Sequence, residues 1–295
     1  MTDDESLVIE VRVDALAPGG DAVGRQIGGA HDGRATFVPL AAPREQVRAR
    51  LTRQKARVAW AELVAVTTPS STRVFPPCRF FGVCGGCQWQ HVALEAQRAA
   101  KRAIVERALP GVDVTMIVPC QTGLGYRDRA RLSVGVGGAV GFHARRDRTV
   151  VDLDACLLLA PALAQALPAV RALASGWPAG TEVELQLGAE GVHVLIDGPA
   201  VARALEPARL LEALRPAGIV GVAVGEPGRR AGEADVDIAE PGSPPLRIPA
   251  GGFAQVGRAG NAALVQAVLQ AVGAAPGAIL ELYAGSGNFT RHLTR

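Results

Sequence analysis

Three of the chain's five cysteines fall inside the stretch CRFFGVCGGCQWQH, as Cys78, Cys84 and Cys87. The gaps between them are five residues and then two. Thiolates on a tight turn converge, which is chemistry for one metal centre. Gly85 and Gly86 let the backbone bend between Cys84 and Cys87. A closed site needs a fourth ligand, and Cys120 and Cys156 are the candidates. Four thiolates suit either zinc or an iron–sulfur cluster. Zinc ribbons use two CxxC pairs, and this chain has one. The five-then-two spacing also differs from the three-then-two spacing of radical enzymes. An odd, clustered set of cysteines is not the disulfide framework of a small secreted protein.

A second constellation lies near the C-terminus, in ILELYAGSGNFT. Ile279, Leu280 and Leu282 read as a buried strand, with Glu281 near its end, ahead of the loop. Gly285 and Gly287 then remove side chains so that backbone can approach a ligand. Asn288 places an amide at the start of the following helix. This is the physics of a nucleotide-cofactor turn. It is not a dinucleotide fingerprint, which asks for a third glycine where Thr290 stands and an acid some 20 residues later.

The third signal is charge. The net charge is +3, but residues 1–150 carry +7 and the remainder −4. A polyanion would dock on the first half. Arg48, Arg50, Arg53, Lys55 and Arg57 cluster around one turn there. On a barrel of the oligonucleotide-binding type such a turn borders a nucleic-acid groove; a merely solvent-facing hairpin is the bland alternative.

These residues must be positioned by a multidomain α+β chain. LVIEVRVDAL alternates apolar and polar residues, RATFVPL reads as a strand, and QVRARLTRQKARVAWAELVAV covers two more. PGGDAVGRQIGG reads as glycine-rich turn material between them. Short strands with Gly/Pro punctuation predict a small barrel over residues 1–68. After the cysteines, VALEAQRAAKRAIVERAL has helical spacing, with Val92, Leu94, Ile104, Val105 and Leu109 on one face. Two hairpin regions follow, around residues 126–156 and at TEVELQLGAEGVHVLIDG. Between them LLLAPALAQALPAVRALA is helical, interrupted by Pro168. VARALEPARLLEALRP reads as helix, GIVGVAVG and ADVDIAE as strands, and PGSPP as loop. RAGNAALVQAVLQAVGA is an alanine-rich helix closed by Gly273 and Pro276. The N-terminus has no apolar signal core, and no run of about 18 apolar residues occurs. A cytoplasmic protein without a membrane span is expected.

Taken together, PPCRFFGVCGGCQWQH and the distant cysteine of VVDLDACLL resemble the iron–sulfur signature of the class I methyltransferases that make 5-methyluridine in RNA. GGDAVGR and ATFVPLAAPREQVRA are similar to that family's N-terminal TRAM barrel. Its usual Pro-Gly-Glu reads Pro43-Arg44-Glu45 here. GYRDRARLSV resembles the start of the family's central β domain, and Arg127 within it joins the expected RNA contacts. The resemblance spans essentially the whole chain.

It implies a TRAM barrel over 1–68, a central α+β domain with a cluster loop over 69–250, and the first βα unit of a Rossmann-like methyltransferase domain over 251–295. It implies a four-iron cluster on Cys78, Cys84, Cys87 and Cys156, with Cys120 free. It implies S-adenosylmethionine at the glycine turn, with Glu281, Tyr283, Gly285, Gly287 and Asn288 at the cofactor. GGFAQVGRAGN resembles the family's Phe-x-Gln-Val-Asn segment, which puts Gln255 at the same site; Gly257 stands where the asparagine is usual. The substrate implied is RNA, and barrel plus cluster point to ribosomal (23S) rather than transfer RNA. A monomer is expected.

The family's chemistry is Michael-type. A cysteine thiolate adds to carbon 6 of uracil, carbon 5 takes the methyl group, and a base removes the carbon 5 proton. The target base must be unstacked to be reached. The nucleophile and base lie well beyond the glycine turn in the family, and only five residues follow Thr290. No catalytic residue is therefore assigned. The expectation is a fragment or shortened product of a longer enzyme, exposing apolar surface at Ile279–Tyr283. Two other readings stand beside it: a non-catalytic RNA-binding iron–sulfur module, and an iron–sulfur redox protein whose glycine turn binds a dinucleotide.

Overall fold

The computed structural model describes residues 8–119, 123–225, 228–239, 242–274 and 277–294. Cys120 and Pro276 lie outside the described residues. The chain divides into two compact units, residues 1–119 and 120–295.

The first unit is a closed five-stranded barrel followed by the cysteine loop and one helix. Its strands are β1 (Val8–Leu16), β2 (Ala22–Ile27), β3 (Ala35–Val38), β4 (Gln46–Gln54) and β5 (Val58–Thr68), in the order β1-β2-β3-β5-β4. Only β3 and β5 pair in parallel; β1 and β4 close the ring. Alternation drives closure. Val11, Val13, Val38, Val47, Ala49, Ala59 and Ala61 point inward and are at most 2% exposed. The stretch PGGDAVGRQIGG, read above as turn material, contains β2.

Helix α1 (Leu94–Ala108) forms as the spacing predicts, but its large apolar residues do not make the packed face. Leu94, Val105 and Leu109 are exposed, and Ala96 and Ala100 pack on the barrel core instead. Small side chains let the helix approach closely; Val92, just before it, is buried in the same core.

The second unit is built on β6 (Arg129–Val134), β7 (Val140–Gly141), α2 (Pro161–Ala174), β8 (Glu182–Leu187), β9 (Val192–Asp197), α3 (Pro207–Leu214), β10 (Ile219–Val224) and β11 (Arg229–Gly232). The six strands run β11-β10-β9-β8-β6-β7, with only β9 and β10 parallel. Leu163, Leu167 and Val170 of α2 and Leu211 and Leu214 of α3 share one core with Leu132, Leu185 and Ile196 of the sheet. Each such leucine contributes roughly 1.5–3 kcal/mol of burial. Helix α2 runs through Pro168 rather than breaking there. The cost of one missing backbone bond is set against a face that buries five residues.

A two-stranded ribbon, β12 (Val236–Ile238) with β13 (Leu246–Ile248), precedes α4 (Arg258–Val272) and a short α5 (Thr290–Leu293). β11 and β13 are strands the sequence reading left out; they are only four and three residues long, too short for a periodic signal. The stretch ILELY, expected as a strand, is not one. A strand needs a hydrogen-bonded neighbour, and none pairs with it among the described residues. Leu280, Leu282 and Tyr283 are 83%, 70% and 103% exposed, so the expected apolar surface is present. No helix of the described residues is long and apolar enough to cross a membrane.

Candidate cofactor groove and RNA-facing surface

The glycine turn is shaped by left-handed backbone. Tyr283, Gly285 and Gly287 have φ of 57°, 58° and 88°. Glycine adopts this region without cost, whereas Tyr283 is strained there, its side chain wholly in solvent. Nothing stands within 4 Å of where a Cβ on Gly285 would be, so the backbone there is open to approach. Glu281 is held on one oxygen only: Thr290 donates its hydroxyl to Oε2 at 2.6 Å. The other oxygen, Oε1, is buried with no hydrogen-bond partner. A buried carboxylate oxygen without a donor is costly. A ligand ammonium or hydroxyl would satisfy it, so the turn fits the methionine end of S-adenosylmethionine.

Asn288 is fixed by a residue the sequence reading missed. Asn261, on α4 and only 8% exposed, exchanges two side-chain hydrogen bonds with it. Asn261 Nδ2 donates to Asn288 Oδ1 at 3.0 Å, and Asn288 Nδ2 donates to Asn261 Oδ1 at 2.7 Å. Asn261 also lines an open groove of about 530 Å³, together with Tyr126, Asp128, Gln255 and the first turn of α4. Asn261 thus shares the groove with Gln255 and bonds Asn288, whereas Tyr283 is wholly exposed to solvent.

The groove wall is tied to the six-stranded sheet. Arg258 donates its backbone N–H to Asp128 Oδ2 at 2.8 Å, which caps the start of α4 with a negative charge. Asp128 donates its own N–H to Val256 O at 2.7 Å. Next to it, Arg129 grips Glu184 through two bonds of 2.9 and 2.8 Å, and Glu184 is only 4% exposed. Arg129 also reaches Ala254 O at 3.4 Å, and its guanidinium lies over the Phe253 ring. Burial pulls the Arg131 pKa down, but the Glu184 carboxylate beside it raises it further, so Arg131 stays a cation. Asp128, Arg129 and Glu184 were legible only as charges in strands; their partners are distant in sequence.

The four expected metal ligands are divided between the units: Cys78, Cys84 and Cys87 in the first, Cys156 in the second. All four are half-buried and none is in a disulfide. Gly86 directs its N–H at Cys84 Sγ, 3.4 Å away. Cys78 donates its N–H to Gln90 Oε1 at 3.3 Å. In donor type the cysteines suit a thiolate-bound centre. Among the described residues, no three His, Cys, Asp or Glu side chains gather as a metal site.

Five of the six basic residues expected at RNA are on the barrel surface. Arg48, Arg50 and Arg53 point outward from β4, and Lys55 and Arg57 sit in the exposed turn closed by Lys55 N–H to Val58 O. Arg48 lies opposite Glu10 and Arg50 opposite Glu62, so the cations nearer the turn are less compensated. Arg127, in the second unit, is half-buried with its guanidinium 5.7 Å from the Phe142 ring centroid.

No family model matches the chain. It is 35% identical over 292 residues to the 23S rRNA (uracil(1939)-C(5))-methyltransferase RlmD of Alkalilimnicola ehrlichii, covering 90% of this chain and 64% of that protein. It is 30% identical over 297 residues to an uncharacterized RNA methyltransferase of Caulobacter vibrioides, covering 95% of this chain and 68% of that protein. The chain therefore spans about two thirds of the length of these relatives. Its fold is like that of the Pyrococcus abyssi tRNA (uracil-54, C5)-methyltransferase solved with S-adenosyl-L-homocysteine. The TM-score is 0.71 at 20% identity, over 96% of this chain and 70% of that one. An alignment running from the barrel through the cysteine loop to the glycine turn leaves one assignment: the chain belongs to the RNA methyltransferase family that includes the 23S rRNA uracil-C5 enzymes.

Proposed function

We propose that this chain serves the transfer of a methyl group from S-adenosylmethionine to carbon 5 of a uridine in 23S rRNA. The observation that carries the reading is the 35% identity to an RlmD over 90% of the chain. The unsatisfied Oε1 of Glu281 supports it. So does the Asn261–Asn288 pair that holds the glycine turn beside the groove.

In this reading the parts divide the work. Residues 1–68 form a TRAM barrel that engages RNA through Arg48, Arg50, Arg53, Lys55 and Arg57, and Arg127 adds a contact from the second unit. Residues 69–250 carry a four-iron cluster on Cys78, Cys84, Cys87 and Cys156, a thiolate-held staple that adds folding free energy. Residues 251–295 begin the cofactor domain. When bound, S-adenosylmethionine supplies an electrophilic methyl group on a sulfonium. Glu281 accepts a hydrogen bond from the ligand's amino group, and Gly285 and Gly287 keep side chains out of its way. Asn288, oriented by Asn261, presents its amide. Gln255 lines the groove on the side of α4, held in place by Arg129 and Asp128. The protein acts as a monomer in the cytoplasm.

The test is genetic. Deleting the gene and mapping 5-methyluridine in 23S rRNA by mass spectrometry should remove the mark at one nucleotide. Restoring the gene should return it. An unchanged 5-methyluridine map overturns the reading.

A further inference from the structure

The outer face of the barrel carries an aromatic row that the proposed function does not use. Thr36 and Val38 of β3 and Ala59 and Ala61 of β5 are buried inside the barrel, so Phe37 and Trp60 between them must point outward. They are register partners in the parallel β3–β5 pair. Their rings are nearly parallel, at 16°, with centroids 6.0 Å apart. Arg53, the register partner of Trp60 on β4, lays its guanidinium 4.1 Å from the Trp60 centroid. Three adjacent strands thus present ring, ring and cation in one line.

The surroundings select the occupant. Residues 46–61 hold Arg48, Arg50, Arg53, Lys55 and Arg57 and no acid. Arg34, at the entry to β3, is anchored near the row by its bond to Gln54 Oε1 at 2.8 Å. Flat apolar faces flanked by a run of cations suit a base joined to phosphates, because every base has a face to stack and every phosphate attracts the cations. A duplex hides its base faces and cannot use such a row.

We propose that Phe37, Trp60 and Arg53 form a stacking site for an unpaired base of single-stranded RNA, with Lys55 and Arg57 holding the neighbouring phosphates. The site rests on the reading of the barrel as RNA-binding but adds a base-reading surface to it.

Binding of the chain to three labelled probes tests this by fluorescence anisotropy: a 12-nucleotide oligouridylate, an abasic 12-mer with the same phosphates, and a 12-base-pair RNA duplex. The oligouridylate should bind more tightly than the abasic strand. Trp60→Leu and Phe37→Leu should each weaken oligouridylate binding about 5- to 100-fold and leave the abasic strand unchanged. Arg53→Ala should weaken both single strands and lower the salt slope by about one. Trp60→Phe keeps a ring and should retain most of the affinity. It also serves as the blank for the tryptophan quenching that oligouridylate, and not the abasic strand, should produce in the unaltered chain. That quenching tests the site even if a leucine variant does not fold. The stacking site is overturned if the leucine variants bind oligouridylate normally, if they lose both single strands equally, if Trp60 is not quenched, or if the duplex competes as well as the single strand. Should the unaltered chain bind none of the probes, the RNA reading of the barrel falls and the site with it.

Discussion

Arg44 sits where the backbone asks for glycine. The turn Ala42–Glu45 is closed by Glu45 N–H to Ala42 O at 3.3 Å, with Pro43 and Arg44 at its centre. Arg44 has φ of 71°. Proline followed by a positive φ is the pattern of a type II turn, whose third position favours glycine. The family's Pro-Gly-Glu has glycine there. Holding an L-residue in the left-handed region costs roughly 1–2 kcal/mol. Glycine adds back roughly 0.5–1 kcal/mol by freeing the unfolded chain. Arg44→Gly should therefore stabilise the barrel by about 0.5–1 kcal/mol. At a urea dependence of about 2 kcal/mol per molar, the midpoint should rise by about 0.3–0.5 M. The two units need not unfold together, so the assay is tryptophan fluorescence in a Trp177→Phe background, where Trp60 and Trp89 of the first unit report. Arg44→Ala is the control, because alanine keeps the steric penalty and loses the charge. Equal gains from alanine and glycine, or no gain from glycine, would refute the strain argument.

Glu45, the next residue, should give the barrel an acid limit. Burial pushes its pKa up, but bonds from Arg73, from the N–H groups of Ala42 and Ser70, and the Arg73 charge outweigh that and hold it below the ordinary carboxylate value. A depressed native pKa means stability that is complete above the unfolded value of about 4.3 and lost as pH falls through the native one. Urea midpoints of the first unit should fall in that window. Glu45→Gln should abolish the dependence and cost about 2–4 kcal/mol at pH 7, since it leaves Arg73 without its buried partner. Asn261→Leu removes both hydrogen bonds to Asn288; at roughly 0.5–1.5 kcal/mol each, S-adenosylhomocysteine affinity by calorimetry should drop about 5- to 100-fold. An unchanged affinity would show that the pair does not order the turn for the ligand. Cys84→Ser should eliminate the iron and the brown colour of an anaerobic preparation. A colourless, zinc-containing unaltered protein would remove the cluster from the proposal.

Legibility followed the range of each signal. The barrel was readable because β1, β4 and β5 alternate over long runs, and alternation is a local property. β2 was hidden by its own glycines. A Cβ on Gly24 would meet Arg12 O at 2.1 Å, so that glycine allows β1 and β2 to approach inside a small barrel rather than marking a turn. The helix after the cysteines was found, but its apolar stripe misled, because alanines made the contact. The glycine turn was visible as a motif. Its support was not: Asn261 and Asn288 are 27 residues apart, and one asparagine in an alanine-rich helix carries no local mark.

That hidden support explains how the turn is held without a sheet around it. No backbone ladder fixes Ile279–Tyr283 among the described residues, so side chains must set its place. They do so in sequence. Glu184, on β8, fixes Arg129, which reaches the carbonyl of Ala254. Asp128 beside it caps α4 at Arg258. Three residues further along α4, Asn261 clamps Asn288. Each link joins segments distant in sequence, and each is a directional bond between partly or wholly buried groups. Directional bonds fix orientation where apolar contact fixes only proximity. The position of the glycine turn is thus set from the six-stranded sheet through α4. Gln255, between the tethered Ala254 and Val256, and Asn288, held by Asn261, are therefore placed by one framework.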